Sequence, residues 1–193
     1  PLKMQGYLTT LVVFTLALAG CGRGSPTNYG LKTPARSGRL LEVKRPARDL
    51  GTYEALEIAD FENALPGIIP PDLPGNLSGE LALRAQLGGR FTAVRQVAPA
   101  QALTPTTDKP TLLLTGRLID VDTAKSNPET KRRAPLDFLT AEIAITDTST
   151  GQVLGRFVAT GYAPPSVPEK RREQALIESL SDTILQYLGV SKP

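Results

Sequence analysis

The feature that most constrains this chain is its single cysteine, Cys21, which follows an apolar run from Tyr7 to Ala19. One cysteine cannot form a disulfide within the chain, so the fold has to be stable without one. The run is shorter than the roughly 20 apolar residues of a membrane-spanning helix, and it fits the apolar region of a secretory signal peptide. We therefore predict a signal peptide over residues 1–20, with cleavage between Gly20 and Cys21.

The four residues Leu18-Ala19-Gly20-Cys21 resemble the lipobox of bacterial lipoproteins at every position. The resemblance implies that the Cys21 sulfur carries a diacylglycerol, that the chain is cleaved before Cys21, and that the new amino terminus is acylated, for example with palmitate. Two or more acyl chains anchor a protein stably, because each buried CH₂ contributes about 0.8 kcal/mol. The alternatives are an ordinary secretory signal with a chance cysteine, or an amino-terminal membrane helix. A free thiol in an oxidising compartment is a liability, which favours the lipid anchor.

The residues around this motif refine the predicted location. In lipoproteins of two-membraned bacteria an aspartate after the cysteine is a common inner-membrane retention signal, whereas Gly22 stands here. We therefore expect a lipid anchor at the periplasmic face of the outer membrane of a Gram-negative bacterium. Met4 is a better start than Pro1, although Lys3, the only positive charge of this region, precedes it.

Composition excludes most catalytic chemistry. The 193 residues include no histidine, no tryptophan and one methionine. Zinc sites built from histidine and cysteine are excluded, and so are Ser-His-Asp and Cys-His nucleophile systems. The sequence contains no Gly-x-x-x-x-Gly-Lys loop for binding phosphates, and no Gly-x-Gly-x-x-Gly motif follows a predicted strand. We expect a protein that is not an enzyme and that needs no cofactor.

The charges are divided between two segments. Seven basic and two acidic residues lie between Cys21 and Asp49, a net charge of +5, whereas the chain from Leu50 onward has a net charge of −3. We therefore divide the mature chain into a basic flexible tether over residues 21–50 and one domain over residues 51–190. Nucleic-acid binding needs basic charge on the folded surface, so we expect none. The tether is either a solvated linker, which we favour, or a segment that lies on anionic lipid.

The domain alternates strand and helix signals. Period-two alternation predicts strands over 53–61, 91–97, 111–122, 139–147 and 153–162, the last two joined by the turn Thr148 to Gly151. Leu40-Leu41-x-Val43 is a candidate short edge strand. Leu77, Leu81 and Ala85 recur at the helical spacing and predict a helix over 76–87 that stops at Gly88-Gly89.

The final helix carries a local start signal. Ser166-x-x-Glu169 predicts a capping box, followed by a helix to Leu188 that stops at Gly189. The order β-α-β-β-β-β-α predicts an α+β fold: a mixed, largely antiparallel sheet of about four to five strands with two main helices packed on it.

Three stretches together resemble a known family. They are Tyr53 with Ile58-Ala59-Asp60-Phe61, Leu112-Leu113-Leu114-Thr115-Gly116-Arg117 and the hairpin from Asp147 to Gly155, which the terminal amphipathic helix follows. They resemble the bacterial lipoproteins of the domain of unknown function 4410. More distantly, they are similar to the periplasmic domains of the curli-secretion lipoprotein and the penicillin-binding-protein activator lipoproteins, and to the amino-terminal domain of the Tol-Pal β-propeller protein. The resemblance implies an envelope adaptor fold without chemistry and without catalytic residues.

Two basic triplets and one apolar loop are candidate partner contacts. The triplets are Lys131-Arg132-Arg133 and Lys170-Arg171-Arg172, which could meet an anionic partner such as lipid head groups or could simply be solvated. Basic residues in the first turn of a helix oppose its macrodipole, which hints that Lys170 to Arg172 serve another purpose. In the proline-rich loop over 64–75, Ile68 and Ile69 either dock on a partner groove or close the edge of the core.

Asp60, Asp120 and Asp122 are the best carboxylate cluster in the sequence. Asp120 and Asp122 point to one face of a strand, and carboxylate oxygens suit hard cations. Aspartates at strand ends also make turns, so these three residues are weak candidates and we predict no metal site.

Three functional hypotheses follow. The first is a lipid-anchored, non-enzymatic adaptor or scaffold that binds a periplasmic or outer-membrane protein. The second is a protein that binds a small molecule, a lipid or a metal in a pocket between sheet and helices. The third, an enzyme, lacks the usual nucleophile and base pairs.

Overall fold

The structure, a computed structural model, describes residues 39–44, 49–98, 108–123 and 136–190. The described strands are β1 (Arg39–Lys44), β2 (Ala55–Ala59), β3 (Glu62–Asn63), β4 (Ala93–Val97), β5 (Thr111–Thr123), β6 (Leu136–Asp147) and β7 (Val153–Tyr162). The described helices are α1 (Leu73–Leu87), α2 (Glu169–Tyr187) and a short 3-10 turn at Leu50–Thr52.

The strands form one mixed sheet in the order β1-β7-β6-β5-β2-β4, and the two-residue strand β3 pairs with β5. The long pairs β5–β6 and β6–β7 and the edge pair β1–β7 are antiparallel. The shorter pairs of β2 with β4 and β5 are parallel. The predicted α+β fold with a mixed sheet and two helices is confirmed, and its strand count is higher than predicted because β1 and β3 join the sheet.

Strand β1 lies in the segment that was predicted to be a tether. Leu40 pairs with Ala159 and Leu41 with Val158, so this short segment forms the edge strand that Leu40-Leu41-x-Val43 indicated. The sheet therefore begins at Arg39 within the described residues, before the predicted domain boundary at 51.

Both helices pack on the same face of the sheet. Helix α1 contacts β2 and β4, helix α2 contacts β6 and β7, and the two helices contact each other. The core between helices and sheet is mainly aliphatic and includes buried aromatic rings such as Phe61 and Phe91. Phe157 stacks on Tyr187, and the two ring centroids lie 4.0 Å apart. The fully buried members of this core include Leu77 and Leu81 of α1, Leu176, Leu180 and Ile184 of α2, and Leu112, Leu114, Ile143 and Phe157 of the sheet.

The helix ends follow the glycine signals, but the helix starts do not follow the predicted ones. Gly89 and Gly189 have φ values of 65° and 73°, and they lie just beyond α1 and α2, as predicted. Helix α1 begins at Leu73 rather than Asn76, with Pro74 in its first turn. Backbone N–H groups in the first turn have no acceptor within the helix, so a proline, which lacks this group, is tolerated there.

The predicted capping box at Ser166 is wrong. The N-cap of α2 is Pro168, with ψ 142°, and no side chain caps the helix. A cap at Ser166 would require helical backbone at Val167, and the residue before a proline disfavours that conformation.

None of the described helices combines the length and the apolar character that crossing a membrane requires.

Candidate functional site

The three residues of the basic triplet at the start of α2 differ in exposure. Arg172 is mostly buried: its Nη1 donates to Asp137 Oδ1 on β6, and its Nη2 lies 3.4 Å from the carbonyl oxygen of Pro165. Lys170 and Arg171 are exposed. Arg172 therefore ties α2 to the sheet, and only Lys170 and Arg171 are accessible to a partner.

The two isoleucines of the proline-rich loop also differ in exposure. Ile69 is 1% exposed and belongs to the core, whereas Ile68 is 50% exposed. Each of the two predicted roles thus fits one residue: Ile69 closes the core and Ile68 is presented to solvent. Four other candidate positions, Cys21 and Lys131-Arg132-Arg133, lie outside the described residues, as does Gly20.

The carboxylates proposed as a weak metal site do not converge in the described residues. Asp60 follows β2, is exposed, and accepts a hydrogen bond from Gln96 Nε2 at 2.5 Å. It lies level with Thr115 and Gly116 of β5, whereas Asp120 lies four residues further along, about 13 Å away. The Asp122 backbone pairs with Phe138, and its side chain is outside the described part. No group of three metal-ligating side chains occurs in the described ranges.

A cluster of charged residues joins the two helices on their outer surface. Arg84 of α1 lies at its centre, with its Nε 2.5 Å from Glu80 Oε1, its Nη1 2.8 Å from Asp182 Oδ1, and its Nη2 3.8 Å from Glu178 Oε2. Burial acts to lower the pKa of Arg84, but the hydrogen bond to Glu80 and the negative charges of Asp182, Glu80 and Glu178 outweigh it, so the pKa is raised. Among the described residues, three carboxylates from two helices therefore converge on one guanidinium, which ties α1 to α2.

Apolar side chains lie on the same helix layer. Leu83 and Leu87 of α1 are 52% and 63% exposed, the two highest values among the large hydrophobic residues of the described chain. They are four positions apart and therefore neighbours on one helix face. Leu77, Leu81 and Ala85, by contrast, are fully buried. The sequence alone placed all five in one helix without separating the two sets.

A second acidic pair lies where the two helices begin. Burial raises the pKa of Glu173 in α2, and the nearby charge of Asp72, which precedes α1, raises it further. Asp72 and Glu173 therefore lie close together where the two helices begin, and the exposed cations Lys170 and Arg171 lie in the same first turn of α2.

Sequence reasoning missed the cluster around Arg84. The i,i+4 spacing of Glu80 and Arg84 and of Glu178 and Asp182 was a local signal for charged helix faces. Their meeting depends on how α1 and α2 pack, which no spacing within one helix encodes.

The chain matches no protein-family model, and no curated protein matches it in sequence. Its fold is similar to that of the "PelC dodecamer" from Paraburkholderia phytofirmans, with a TM-score of 0.56 and 15% identity over 80% of this chain and 99% of that chain. A point variant of that protein gives a TM-score of 0.53 and 14% identity over the same shares of the two chains.

A third structure is more distant. The lipoprotein GNA1162 from Neisseria meningitidis gives a TM-score of 0.41 and 10% identity, over 68% of this chain and 98% of that one. This likeness is too weak to support an inference about the present chain. The comparisons therefore establish a shared fold with PelC, and the resemblance to domain of unknown function 4410 stays a prediction.

Proposed function

We propose that this chain is a lipid-anchored protein of the bacterial cell envelope that acts as a non-enzymatic scaffold and binds a protein partner. The observation that carries the proposal is the four-residue motif ending at Cys21, which resembles a lipobox at every position. A lipid anchor keeps the domain at a membrane surface. A protein that binds the domain is then held at the same membrane, which is how a scaffold acts. The proposed surface is the periplasmic face of the outer membrane of a Gram-negative bacterium.

Two observations support protein binding. The first is the pair of exposed leucines, Leu83 and Leu87, which lie beside the Arg84 cluster on the helix layer. Exposed apolar groups rimmed by polar residues are typical of protein interaction sites. The second is the fold shared with PelC, which forms a dodecamer in its solved structure. In that protein the same architecture serves as a subunit of an assembly.

The packing between helices and sheet weighs against a ligand site at two described points. A side chain at Gly161 would have its Cβ 2.6 Å from the carbonyl oxygen of Leu176, and one at Gly116 would lie 2.1 Å from the Phe61 ring. Helix α2 and the Phe61 ring therefore approach the sheet as closely as its backbone allows. A small-molecule pocket between sheet and helices is the alternative that the experiment below separates from the scaffold.

The anchor can be tested by changing one atom. We expect the full chain, expressed in Gram-negative cells, to fractionate with membranes and to carry an acylated amino-terminal Cys21, and we expect Cys21→Ser to abolish both, because serine cannot form the thioether. Mass spectrometry of the mature amino terminus and membrane fractionation check this. Ser25→Ala, just outside the motif, is the matched control and should behave as the wild type.

The scaffold role is tested in the same cells. Crosslinking in native membranes followed by purification should recover one reproducible protein species with the wild type. Acylated protein that captures no protein, and that retains a small molecule in native mass spectrometry, would favour the ligand-binding alternative. Unchanged membrane association of Cys21→Ser would contradict the anchor.

A further inference from the structure

We propose that the protein partner presents an extended segment, which adds to the free edge of β4 as a further strand of the sheet. The proposed scaffold function requires a protein partner, and the inference rests on that function. The segment alternates apolar side chains, which lie beside α1, with an acidic side chain that meets Arg95. We call the docking surface the β4 edge. It consists of the outward backbone groups of Ala93, Arg95 and Val97 and the side chains of Leu83, Arg95 and Gln96.

The backbone groups on one side of β4 have no partner in the part of the chain that the structure describes. Strand β4 is the last in the sheet order and pairs with β2 alone. The Thr92 N–H donates to the Glu54 carbonyl oxygen at the start of β2, at 2.8 Å. Backbone directions alternate along a strand, so the groups of Val94 and Gln96 point to β2 as well. The groups that point away from the sheet are those of Ala93, Arg95 and Val97.

The two edge strands of the described sheet differ in how far they are protected against strand addition. Natural edges are protected by charged residues, prolines and bulges. Strand β1 has a register shift between Glu42 and Lys44, and three of its six residues are charged. Strand β4, Ala-Val-Arg-Gln-Val, has no proline, glycine or lysine, and it pairs with β2 over five consecutive residues without a shift. The β4 edge is therefore open to a further strand.

Helix α1 leaves room beside β4 on the helix side of the sheet. A Cβ at Gly79 would lie 3.9 Å from the Gln96 side-chain oxygen, and a Cβ at Gly75 would have no atom within 4 Å. Leu83 lies one turn beyond Gly79, about 6 Å along the helix. Two strand residues span about the same length, so Leu83 lies level with Val94. Leu83 is 52% exposed, and apolar side chains of an added strand would cover it.

On the other side of the sheet, Arg95 sets the chemistry of the facing residue. Its Nε and Nη2 donate to Glu57 Oε1 at 3.0 and 2.6 Å. The Glu57 side chain is 3% exposed and the Arg95 side chain is 40% exposed, so this ion pair presents its cation to solvent. Side chains directly opposite on neighbouring strands interact, and opposite charges stabilise such a pair. A carboxylate on the added strand, opposite Arg95, therefore complements the edge.

The other charged groups near β4 are of both signs and lie at its two ends. Lys109 Nζ is 3.0 Å from Thr92 Oγ1 and 3.7 Å from Glu54 Oε2 at the start of the strand. Asp60 accepts a hydrogen bond from Gln96 Nε2 at the far end. Each already has a contact within the domain, so the overall charge does not select the partner. In strand addition, main-chain hydrogen bonds give the affinity and alternate side chains give the specificity.

Strand β2 supplies the probe, because it already has the required pattern. Leu56 and Ile58 belong to the core under the helices, and Glu57 meets Arg95. A labelled synthetic peptide with the sequence of residues 53–60, Tyr-Glu-Ala-Leu-Glu-Ile-Ala-Asp, is titrated into the full chain in detergent micelles and followed by fluorescence anisotropy. We expect saturable binding. The same peptide with prolines in place of Leu56 and Glu57, which lacks one donor on each edge, should not bind.

The variant that tests the surface is Ala93→Pro. It removes an outward N–H and none of the hydrogen bonds to β2, and prolines are tolerated at such edge positions. We expect it to weaken peptide binding about tenfold, since a hydrogen bond is lost and the proline ring occupies the edge. The matched control is Ala93→Ser, which keeps the N–H and should bind as the wild type does. Urea unfolding of both variants separates loss of binding from loss of folding.

Hydrogen exchange of the wild type gives a second readout that depends on no variant. Bound peptide should slow the exchange of the Ala93 and Arg95 amides, measured by NMR, and leave the amides of β1 unchanged. A peptide that displaced β2 instead of adding to β4 would leave those two amides unprotected. Protection confined to Ala93 and Arg95 in β4 therefore identifies strand addition at the proposed edge.

Several results would overturn the inference and leave the scaffold function standing. One is a wild-type chain that shows no saturable binding of the peptide, or that binds it without protecting the Ala93 and Arg95 amides. Another is membrane crosslinking that recovers the same protein with the wild type and with folded Ala93→Pro, which would place the partner on a different surface. Self-association of the purified wild type that is lost in Ala93→Pro would assign the edge to a second copy of this chain.

Discussion

Asp147 lies at the end of β6 and organises the turn into β7. It is 4% exposed, and its Oδ2 accepts a hydrogen bond from Tyr53 Oη at 3.1 Å. Its Oδ1 accepts from the backbone N–H of Ser149 at 2.9 Å and from Ser149 Oγ at 2.6 Å. Burial acts to raise the pKa of Asp147, but hydrogen bonds from Ser149, Tyr53 and Thr150 outweigh it, so the pKa is lowered.

A lowered pKa makes the stability of the fold sensitive to acid. The contribution of Asp147 is fully present above the ordinary aspartate pKa of about 3.9, and it is lost as the pH falls through the lower pKa of the folded state. We expect Asp147→Asn to lower the free energy of unfolding by about 2 kcal/mol at pH 7, since hydrogen bonds to a charged acceptor are lost.

The same substitution should flatten the pH dependence of unfolding. Urea titrations between pH 2 and 7, a range chosen to span the aspartate pKa of about 3.9, check this, with Asp120→Asn on the exposed part of β5 as the control. An equal loss of stability in wild type and Asp147→Asn on acidification would contradict the assignment.

The close packing of α2 on β7 requires glycine at position 161, because a side chain there has no room. At Gly161 a Cβ would lie 2.6 Å from the Leu176 carbonyl oxygen and 2.7 Å from the Leu180 backbone nitrogen. These are backbone atoms of the helix and cannot rotate away, so the helix must shift as a unit. The glycine is therefore required by the close approach of two elements.

We expect Gly161→Ala to lower the free energy of unfolding by about 1–3 kcal/mol, the usual cost of overpacking. The matched control is Gly79→Ala in α1, where the nearest atom to a Cβ is the Gln96 side-chain oxygen at 3.9 Å. That substitution should stabilise the fold by up to about 1 kcal/mol, since alanine favours helix over glycine. Thermal and urea unfolding measure both. Equal effects of the two substitutions would show that α2 does not lie against Gly161.

At the scale of the whole molecule, the sheet has a well-paired centre and two thin edges. Strand β5 pairs with β2, β3 and β6, and β6 pairs along most of its length with β5 and β7. Strands β1 and β4 lie at opposite edges in the described sheet, each with one partner. Local opening can release an edge strand without disrupting the core.

Native-state hydrogen exchange should reveal this gradient. Amides of β5 and β6 should exchange only through global unfolding, whereas amides of β1 and β4 should exchange faster through local opening. Exchange followed by mass spectrometry at increasing urea concentrations measures the difference, which should diminish as the transition is approached. Equal protection of β1 and β5 would indicate that another segment or another copy covers the edge.

The fold class could be read from the sequence because its signals are local. Alternation in β5, β6 and β7 and the four-residue spacing of Leu77, Leu81 and Ala85 depend only on neighbouring residues. The glycines beyond each helix act locally as well. The predicted start of α2 at Ser166 was wrong although its signal is also local, because Pro168 disfavours the helical backbone at Val167 that such a cap requires.

The candidate interaction surface could be predicted only in part. Lys170 and Arg171 stood out as cations in an unfavourable first turn, and they remain accessible, whereas Arg172 binds Asp137, 35 residues away in the sequence. Leu83 and Leu87 were indistinguishable from core leucines, because a helix with apolar residues on several sides does not reveal which side meets the sheet. The Arg84 cluster was not predicted at all.

The sequence by itself determined the α+β class, the nature of most elements, the divided charge and the motif at Cys21, because each depends on residues adjacent in the chain. Tertiary structure decided that β1 joins β7, that Arg84 meets Asp182, and that Leu83 and Leu87 are exposed while Leu81 is buried. These contacts join residues far apart in sequence, and their free energy depends on the burial of many side chains at once.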